Sequence, residues 1–281
     1  MTVKAVAVVI PAHNEERLLP RALDAVRRAA AHPGLAGVRI ATVVVTDSCV
    51  DRTAEIAARA QAVVVSTDCQ NPGTARAVGV AHALDLLGAD GTWIASTDAD
   101  SAVPPHWLSF QHTKAHEGWA AVVGTVRLPP SVVAFRHSLR YHADRPAPPA
   151  PWDHPHVHGA NLGVSANAYR DVEGFQPLAV GEDRALVRAL LRRGHRILRT
   201  DECPVLTSDR LHARATGGFA HDLAVISTHT TTPRPSQEGN SSNRADRASI
   251  RQTRALADEA GIEQRDGHRP SLGGEPSVQQ P

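Results

Sequence analysis

VKAVAVVIPAHNEE, residues 3–16, decides the fold. From Val3 to Ile10 it is a near-continuous run of β-branched residues and alanine, and from Pro11 it turns polar and acidic. A strand apolar on both faces belongs inside a sheet covered on both sides. The following stretch, Asn14 to Ala30, carries Leu18, Leu19, Ala22, Val26 and Ala29 at helical spacing. Working outward, the rhythm repeats: strand over Val38–Thr46, helix over Asp51–Ala60, strand over Ala62–Ser66, helix over Gly73–Leu87 and strand over Thr92–Thr97. This predicts an α/β fold with a Rossmann-like, mostly parallel sheet flanked by helices. Right-handed crossovers then bring the C-terminal ends of the strands to one edge, where such sheets bind ligands.

Beyond Asp100 the pattern predicts a helix started by Pro104, a strand over Trp119–Val126 and a helix over Ser131–His142. The segment Arg145–Asp153 (RPAPPAPWD) has prolines that forbid both helix and ladder, so it reads as a connector. Helices are expected over Ala166–Val172 and Glu182–Arg193, with short strands over Arg196–Arg199 and Val205–Ser208. From His229 to Pro281 there are no aromatic residues and only five of Val, Ile or Leu, too few to offset the entropy of ordering. The expected organisation is one domain over residues 1–228, in halves 1–101 and 102–228, and a disordered tail over 229–281.

With 281 residues and 42% hydrophobic content the chain can close a sizeable core, yet only ten residues are aromatic. Ala, Val and Leu supply most of the rest, which suits small-residue α/β packing. The 30 basic and 29 acidic side chains leave +1, so no global field draws the chain to nucleic acid, and any charge-driven site is local. Cys49, Cys69 and Cys203 are odd in number and lack CxxC spacing, which argues against a disulfide framework or structural zinc and for a reducing, cytoplasmic setting. The opening apolar run is too short and too soon acidic for a signal peptide, and no stretch nears the ~18 apolar residues of a membrane span.

Polar residues recur where strands end: Pro11-Ala12-His13-Asn14-Glu15-Glu16, then Asp47-Ser48-Cys49-Val50-Asp51, then Asp98-Ala99-Asp100. Asn14 and Asp51 suit helix N-caps, and Glu15 and Glu16 suit the positive end of a helix dipole. Asp47 ends a buried strand and precedes the cap, so capping does not explain it. Asp98 and Asp100 stand two apart in extended backbone and so converge on one side. Two carboxylates that close repel unless a cation sits between them, and Mg2+ or Mn2+ bridging a diphosphate is the natural occupant. Asp183 and Glu182 open a helix after Gly181, where an acid is either a dipole partner or a base. His154, His156 and His158 alternate as in an extended strand. They read as polar lining of a groove rather than as a zinc site.

Taken in order, these segments resemble glycosyltransferase family 2, enzymes of the GT-A fold. VVIPAHNEE (8–16) resembles the family's first strand and nucleotide loop, and VVVTDSCVDRT (43–53) its usual VVDDGSTDGT. NPGTARAVGV (71–80) resembles its G-x-x-x-A-R-N-x-G helix start, and STDADSAVPPHWL (96–108) its LDADTRVPPDWL. GANLGVSANAYRDVEGF (159–175) and GEDRALVRALLRRGHRI (181–197) resemble its acceptor-side segment and its Glu-Asp motif.

The resemblance spans roughly residues 3–223 and implies a nucleotide-sugar-binding half (1–101) and an acceptor half (102–228). It implies that Pro11, Ala12, Asn14 and Glu15 line the nucleotide pocket, that Asp47 pairs with the base imide N–H, usually of uracil, and that Arg76 approaches base or phosphates. Asp98 would lie near ribose or metal, Asp100 would bind Mn2+ or Mg2+, and His212 would add a further ligand from a closing loop hinged at Gly217-Gly218. Asp183 would be the catalytic base beside Glu182, and attack would invert the anomeric carbon. Thr46, Ser48 and Cys49 replace the first Asp, Gly and Ser of the family's DDGS, which bears on base selectivity. The processive Q-x-x-R-W motif is absent, which favours single transfers. The implied partners are a nucleotide-sugar donor, most simply a UDP-hexose, and a small-molecule or lipid-linked acceptor. Resembling enzymes use lipophilic acceptors, carotenoid acids among them, which implies peripheral contact with the inner membrane face. The alternatives are a sugar-1-phosphate nucleotidyltransferase, which PAHNEE in place of a Gly-rich loop disfavours, and a catalytically inactive nucleotide-sugar-binding protein.

Overall fold

The computed structural model describes residues 2–147, 152–210 and 223. Four parallel strands come first in the chain: β1 (Ala5–Ala12), β2 (Arg39–Asp47), β3 (Val63–Thr67) and β4 (Thr92–Ser96). Helices α1 (Leu19–Ala30), α2 (Thr53–Arg59) and α3 (Pro72–Leu87) connect them. The second half adds α4 (Trp107–His116), β5 (Ala121–Arg127), α5 (Val132–Tyr141), β6 (Leu162–Ser165), α6 (Ala166–Asp171), α7 (Glu182–Arg192) and β7 (Ile197–Leu206). The seven strands of the described residues form one sheet in the order β3-β2-β1-β4-β6-β5-β7, parallel except for β6.

The double-sided apolar reading of the first strand holds residue by residue. Val6, Val8 and Ile10 of β1 face a core with α1, α2 and α4, while Ala7 and Val9 face the cores under α3 and α7. Trp93 and Trp107 are fully buried, and each indole N–H finds a side-chain acceptor: Gln111 Oε1 at 2.7 Å and Asn161 Oδ1 at 2.8 Å. Asn161 also donates to the carbonyls of Thr125 and Cys203, both at 2.9 Å, so the Asn of the Gly-Ala-Asn segment clamps α4, β5 and β7 together inside the core.

Several expectations are corrected. The first helix does not begin at Asn14: that residue sits in left-handed backbone (φ 52°) and α1 starts at Leu19. Pro104 turns the chain through a Trp107 N–H to Pro104 carbonyl bond of 3.0 Å, and α4 begins only at Trp107. The two short strands expected after Arg196 are one strand, β7. β6, missed in the sequence, is four residues long and contains Gly163, a pattern indistinguishable from a loop. A Cβ at Gly163 would lie 2.2 Å from Gln111 Oε1, so the strand accepts the buried Gln111–Trp93 pair only without a side chain there. The tail over 229–281 lies outside the described residues, as does part of the Pro-rich connector.

Candidate active site

β1, β2 and β4 run parallel, with Ala12 beside Thr46 and Val9 beside Ser96, so their following turns emerge at one rim. The rim borders a cavity of about 790 Å³, of the size of small-molecule sites. Pro11, Ala12, Glu15 and Asp47 line it from the first two turns. Arg76, Asp98, Asp100, Glu182 and Asp183 also line it. Of the residues singled out in the sequence, Asn14 does not line it and His212 lies outside the described residues.

Asn14 works one layer back. Its Oδ1 accepts the Val50 N–H at 2.8 Å, and its own N–H points to Cys49 Sγ at 3.3 Å, which staples the first turn to the second. The Glu15 N–H donates to Thr53 Oγ1 at 2.8 Å, and the Glu16 N–H to Asp51 Oδ2 at 3.1 Å. The two acids then part: Glu16 turns outward to Arg52, and Glu15 is buried and pairs with Arg210.

Asp47 sits in a cage of backbone donors. Its Oδ1 accepts the N–H groups of Cys69 (2.8 Å) and Gln70 (3.0 Å), and its Oδ2 that of Asn71 (2.9 Å). Burial pushes this carboxyl up, but the three amides more than reverse it and hold it below its ordinary value. Most of its hydrogen-bonding capacity is therefore spent on shaping the turn that leads into α3.

Asp98 and Asp100 do converge on the cavity. Asp98 Oδ1 accepts from Arg76 Nη2 at 2.5 Å, and Asp100 Oδ2 faces Arg210 Nη2 at 3.0 Å while Ser101 Oγ donates to its Oδ1 at 3.2 Å. Arg210 Nη1 also reaches Glu15 Oε1 at 2.7 Å. Burial first, then the charges of Asp98 and Glu15, push Asp100 up to about 6, with Arg210 pulling the other way. Asp98 and Glu15 both act on Asp100 by charge, with the Arg210 guanidinium as counter-ion, an environment that calls for positive charge. The donors are hard carboxylate oxygens, which fits Mg2+ or Mn2+. Among the described residues no three His, Cys, Asp or Glu side chains close around one point, so a cation here must complete its shell with ligand oxygens and water. Arg210 was missed in the sequence; the one signal was its place just before His212, on the segment expected to close the site.

Across the cavity α7 starts after Gly181, in left-handed backbone (φ 79°). Glu182 is buried and bonded to Arg76 Nη1, whereas Asp183 opens to the cavity. Burial raises the Glu182 carboxyl above its ordinary value, Arg76 opposes this and Asp183 adds to it. Asp183 Oδ2 accepts the Gly159 N–H at 2.8 Å and its Oδ1 the Arg184 N–H at 2.6 Å, so backbone amides fix its orientation. His156 and His158 line the cavity beside it, as expected, but His154 is fully buried. The three do not form a metal site: His154 bonds the carbonyls of His156 and Thr200, His156 bonds that of Tyr141, and His158 meets the Tyr141 hydroxyl at 2.9 Å. Tyr141 stacks on His156 with centroids 3.7 Å apart.

The seven-stranded, mostly parallel sheet flanked by helices is a GT-A fold, as its likeness to solved structures shows. Residues 7–172 match the family described as Glycosyl transferase family 2, more than half of the chain, and the chain belongs to that family. No curated protein matches it in sequence. Among solved structures it is similar to the mannosyltransferase PcManGT from Pyrobaculum calidifontis, in complex with GDP-Man and Mn2+ (18% identity, TM-score 0.58, covering 81% of this chain and 61% of that one). It is also similar to S. aureus TarS 1–349 in complex with UDP-GlcNAc (15%, 0.57, 80% and 64%). A third is glucosyl-3-phosphoglycerate synthase from Mycobacterium tuberculosis in complex with phosphoglyceric acid (18%, 0.51, 79% and 78%). The chain thus spans less than two thirds of the first two proteins. Among the described residues no helix is long and apolar enough to cross a membrane.

Proposed function

We propose that this chain is an inverting glycosyltransferase that moves a hexose from a nucleoside diphosphate, UDP most simply, to an acceptor hydroxyl or carboxylate. The observation that supports the reading is that Glu15, Asp98 and Asp100, beyond the strand ends, and Asp183, at the start of α7, line one cavity. The nucleoside sits over Pro11 and Ala12, with Asp47 shaping that end. The diphosphate lies toward Asp98 and Asp100. A divalent cation held by Asp100 beside Asp98, when bound, supplies charge stabilisation of the leaving diphosphate without proton transfer.

On the far side Asp183 accepts the proton of the acceptor hydroxyl as its oxygen attacks the anomeric carbon. The new carbon–oxygen bond forms as the bond to phosphate breaks, and its electron pair leaves with the diphosphate. In this reading the base stands across the anomeric carbon from the leaving group, so attack is in line and configuration inverts. Asp183 keeps its angle through the Gly159 and Arg184 amides. Neighbours solved with UDP-GlcNAc and GDP-Man support a nucleotide-sugar donor. A thermal-shift panel of UDP-, GDP- and dTDP-hexoses, each with and without Mn2+, tests the reading. Stabilisation by one nucleotide class, enhanced by Mn2+, is expected; no response to any of them would overturn it.

A further inference from the structure

Arg76 was expected from the resemblance to approach the nucleotide. Its surroundings assign it elsewhere. The side chain is 4% exposed, and three of its five N–H donors are already spent. Nε donates to Ser96 Oγ at 3.2 Å, Nη1 to Glu182 Oε1, and Nη2 to Asp98 Oδ1 at 2.5 Å. These partners lie on β4, on the turn after it and at the start of α7, while Arg76 itself comes from α3. One planar guanidinium thus spans the donor-side and acceptor-side walls, a task its rigid fork performs and a lysine's single ammonium does not.

The backbone is shaped around this group. A Cβ at Gly159 would fall 2.4 Å from Arg76 Nη2, so only glycine lets the chain pass over the guanidinium. That same Gly159 donates its N–H to Asp183 Oδ2 at 2.8 Å. The circuit closes: Asp98 to Arg76, Arg76 to Glu182, Glu182 to its chain neighbour Asp183, and Asp183 to the glycine that covers Arg76. We propose that Arg76 is a positioning residue, and Glu182 its anchor, that together fix the separation between Asp98 and the base Asp183 without touching the donor. The proposal rests on the glycosyltransferase reading above. It moves Glu182 from the catalytic pair into the scaffold.

The test compares Arg76→Met, Arg76→Lys, Glu182→Gln and the double variant Arg76→Met/Glu182→Gln, which removes both buried charges and guards against failure to fold. UDP affinity by calorimetry, kcat and donor KM are measured, together with the NMR signal of the Arg76 Nε–H. Arg76→Met is expected to lower kcat by a hundredfold or more while UDP affinity and donor KM change less than threefold. Arg76→Lys should fold as well but keep under a tenth of the wild-type kcat. The double variant should lose no more than Arg76→Met alone, because both act through one link. In the wild type the Arg76 Nε–H should exchange slowly with water, and Glu182→Gln should speed that exchange tenfold or more. A tenfold or larger loss of UDP affinity in Arg76→Met makes Arg76 a donor ligand and overturns the proposal, as does an unchanged kcat. A slowly exchanging Arg76 in a wild type that transfers no sugar from any nucleotide would leave the bridge standing and remove the transfer reading.

Discussion

The carboxylates that line the cavity are neutralised by two different means. Asp47 is held by three backbone N–H groups, and Asp183 by two. The floor acids Asp98, Asp100, Glu15 and Glu182 are instead countered by the side chains of Arg76 and Arg210. Amides are fixed by the fold and stay where they are when a ligand arrives. A guanidinium on a flexible stem, such as the 28% exposed Arg210, can be exchanged for another cation. The amide-held acids are set in angle, and the floor acids are set in charge.

The sharpest way to break this comparison is at Asp183. Asp183→Asn keeps the shape and one amide contact but cannot take a proton, so transfer is expected to fall by about 10²–10⁴ while melting temperature and nucleotide binding hold. Kinetics under saturating donor check it; near-wild-type turnover would return Asp183 to the role of a helix-start acid favoured by the dipole.

Next in size is a contrast in stability. Asp47→Asn turns an NH2 group toward amides that need an acceptor, and is expected to cost about 2 kcal/mol, the range of hydrogen bonds to charged groups. Asp100→Asn removes one of three mutually repelling acids and is expected to leave stability level or raise it by under about 1 kcal/mol, while abolishing the response to Mn2+. Urea melts of both variants decide it. If Asp100→Asn proves the more destabilising, the floor is held together by its acids and the contrast fails.

The strand–helix alternation was legible because β1 is apolar on both faces and the helix after it, α1, carries its apolar residues at clear helical spacing, a start from which the later strands could be read. β6 was not, because four residues with a glycine carry no period at all. The acids of the rim were legible one by one, since carboxylates after buried strands need a reason to be there. What each faces was not: the amides around Asp47 come from residues 69–71 and the cation beside Asp100 from residue 210, separations no local pattern encodes. Asn161 shows the converse, a residue of the segment that resembles the acceptor side whose side-chain hydrogen bonds go to the core.

The smallest effect concerns the wall beside Asp183. His158 is pressed down to about 3, by burial and then by the charges of His156, His137, His154 and Arg184, and His137 to about 4, by burial and then His156 and His142. His142, His154 and His156 are also lowered, burial first in each case. Arg145 and Arg199 add positive charge to this wall, which Asp144, Asp153 and Asp201 partly offset. The folded state therefore refuses protons that the unfolded chain accepts below the ordinary value of 6.5, so this stability is complete above about 6.5 and is lost as pH falls toward 4. Asp47 loses its contribution in the same direction but in a lower window: its carboxyl is lowered, so its contribution survives until pH drops below about 3.8. Between pH 7 and 5 the wild type is expected to lose about 2 kcal/mol for each histidine held as low as His158 and His137, and His158→Gln to lose correspondingly less over the same range. Chemical denaturation at pH 7, 6 and 5 separates the two regions, since Asp47→Asn should shift all three values equally and His158→Gln should change their slope; parallel slopes for wild type and His158→Gln would show that the histidine wall carries its protons folded and unfolded alike.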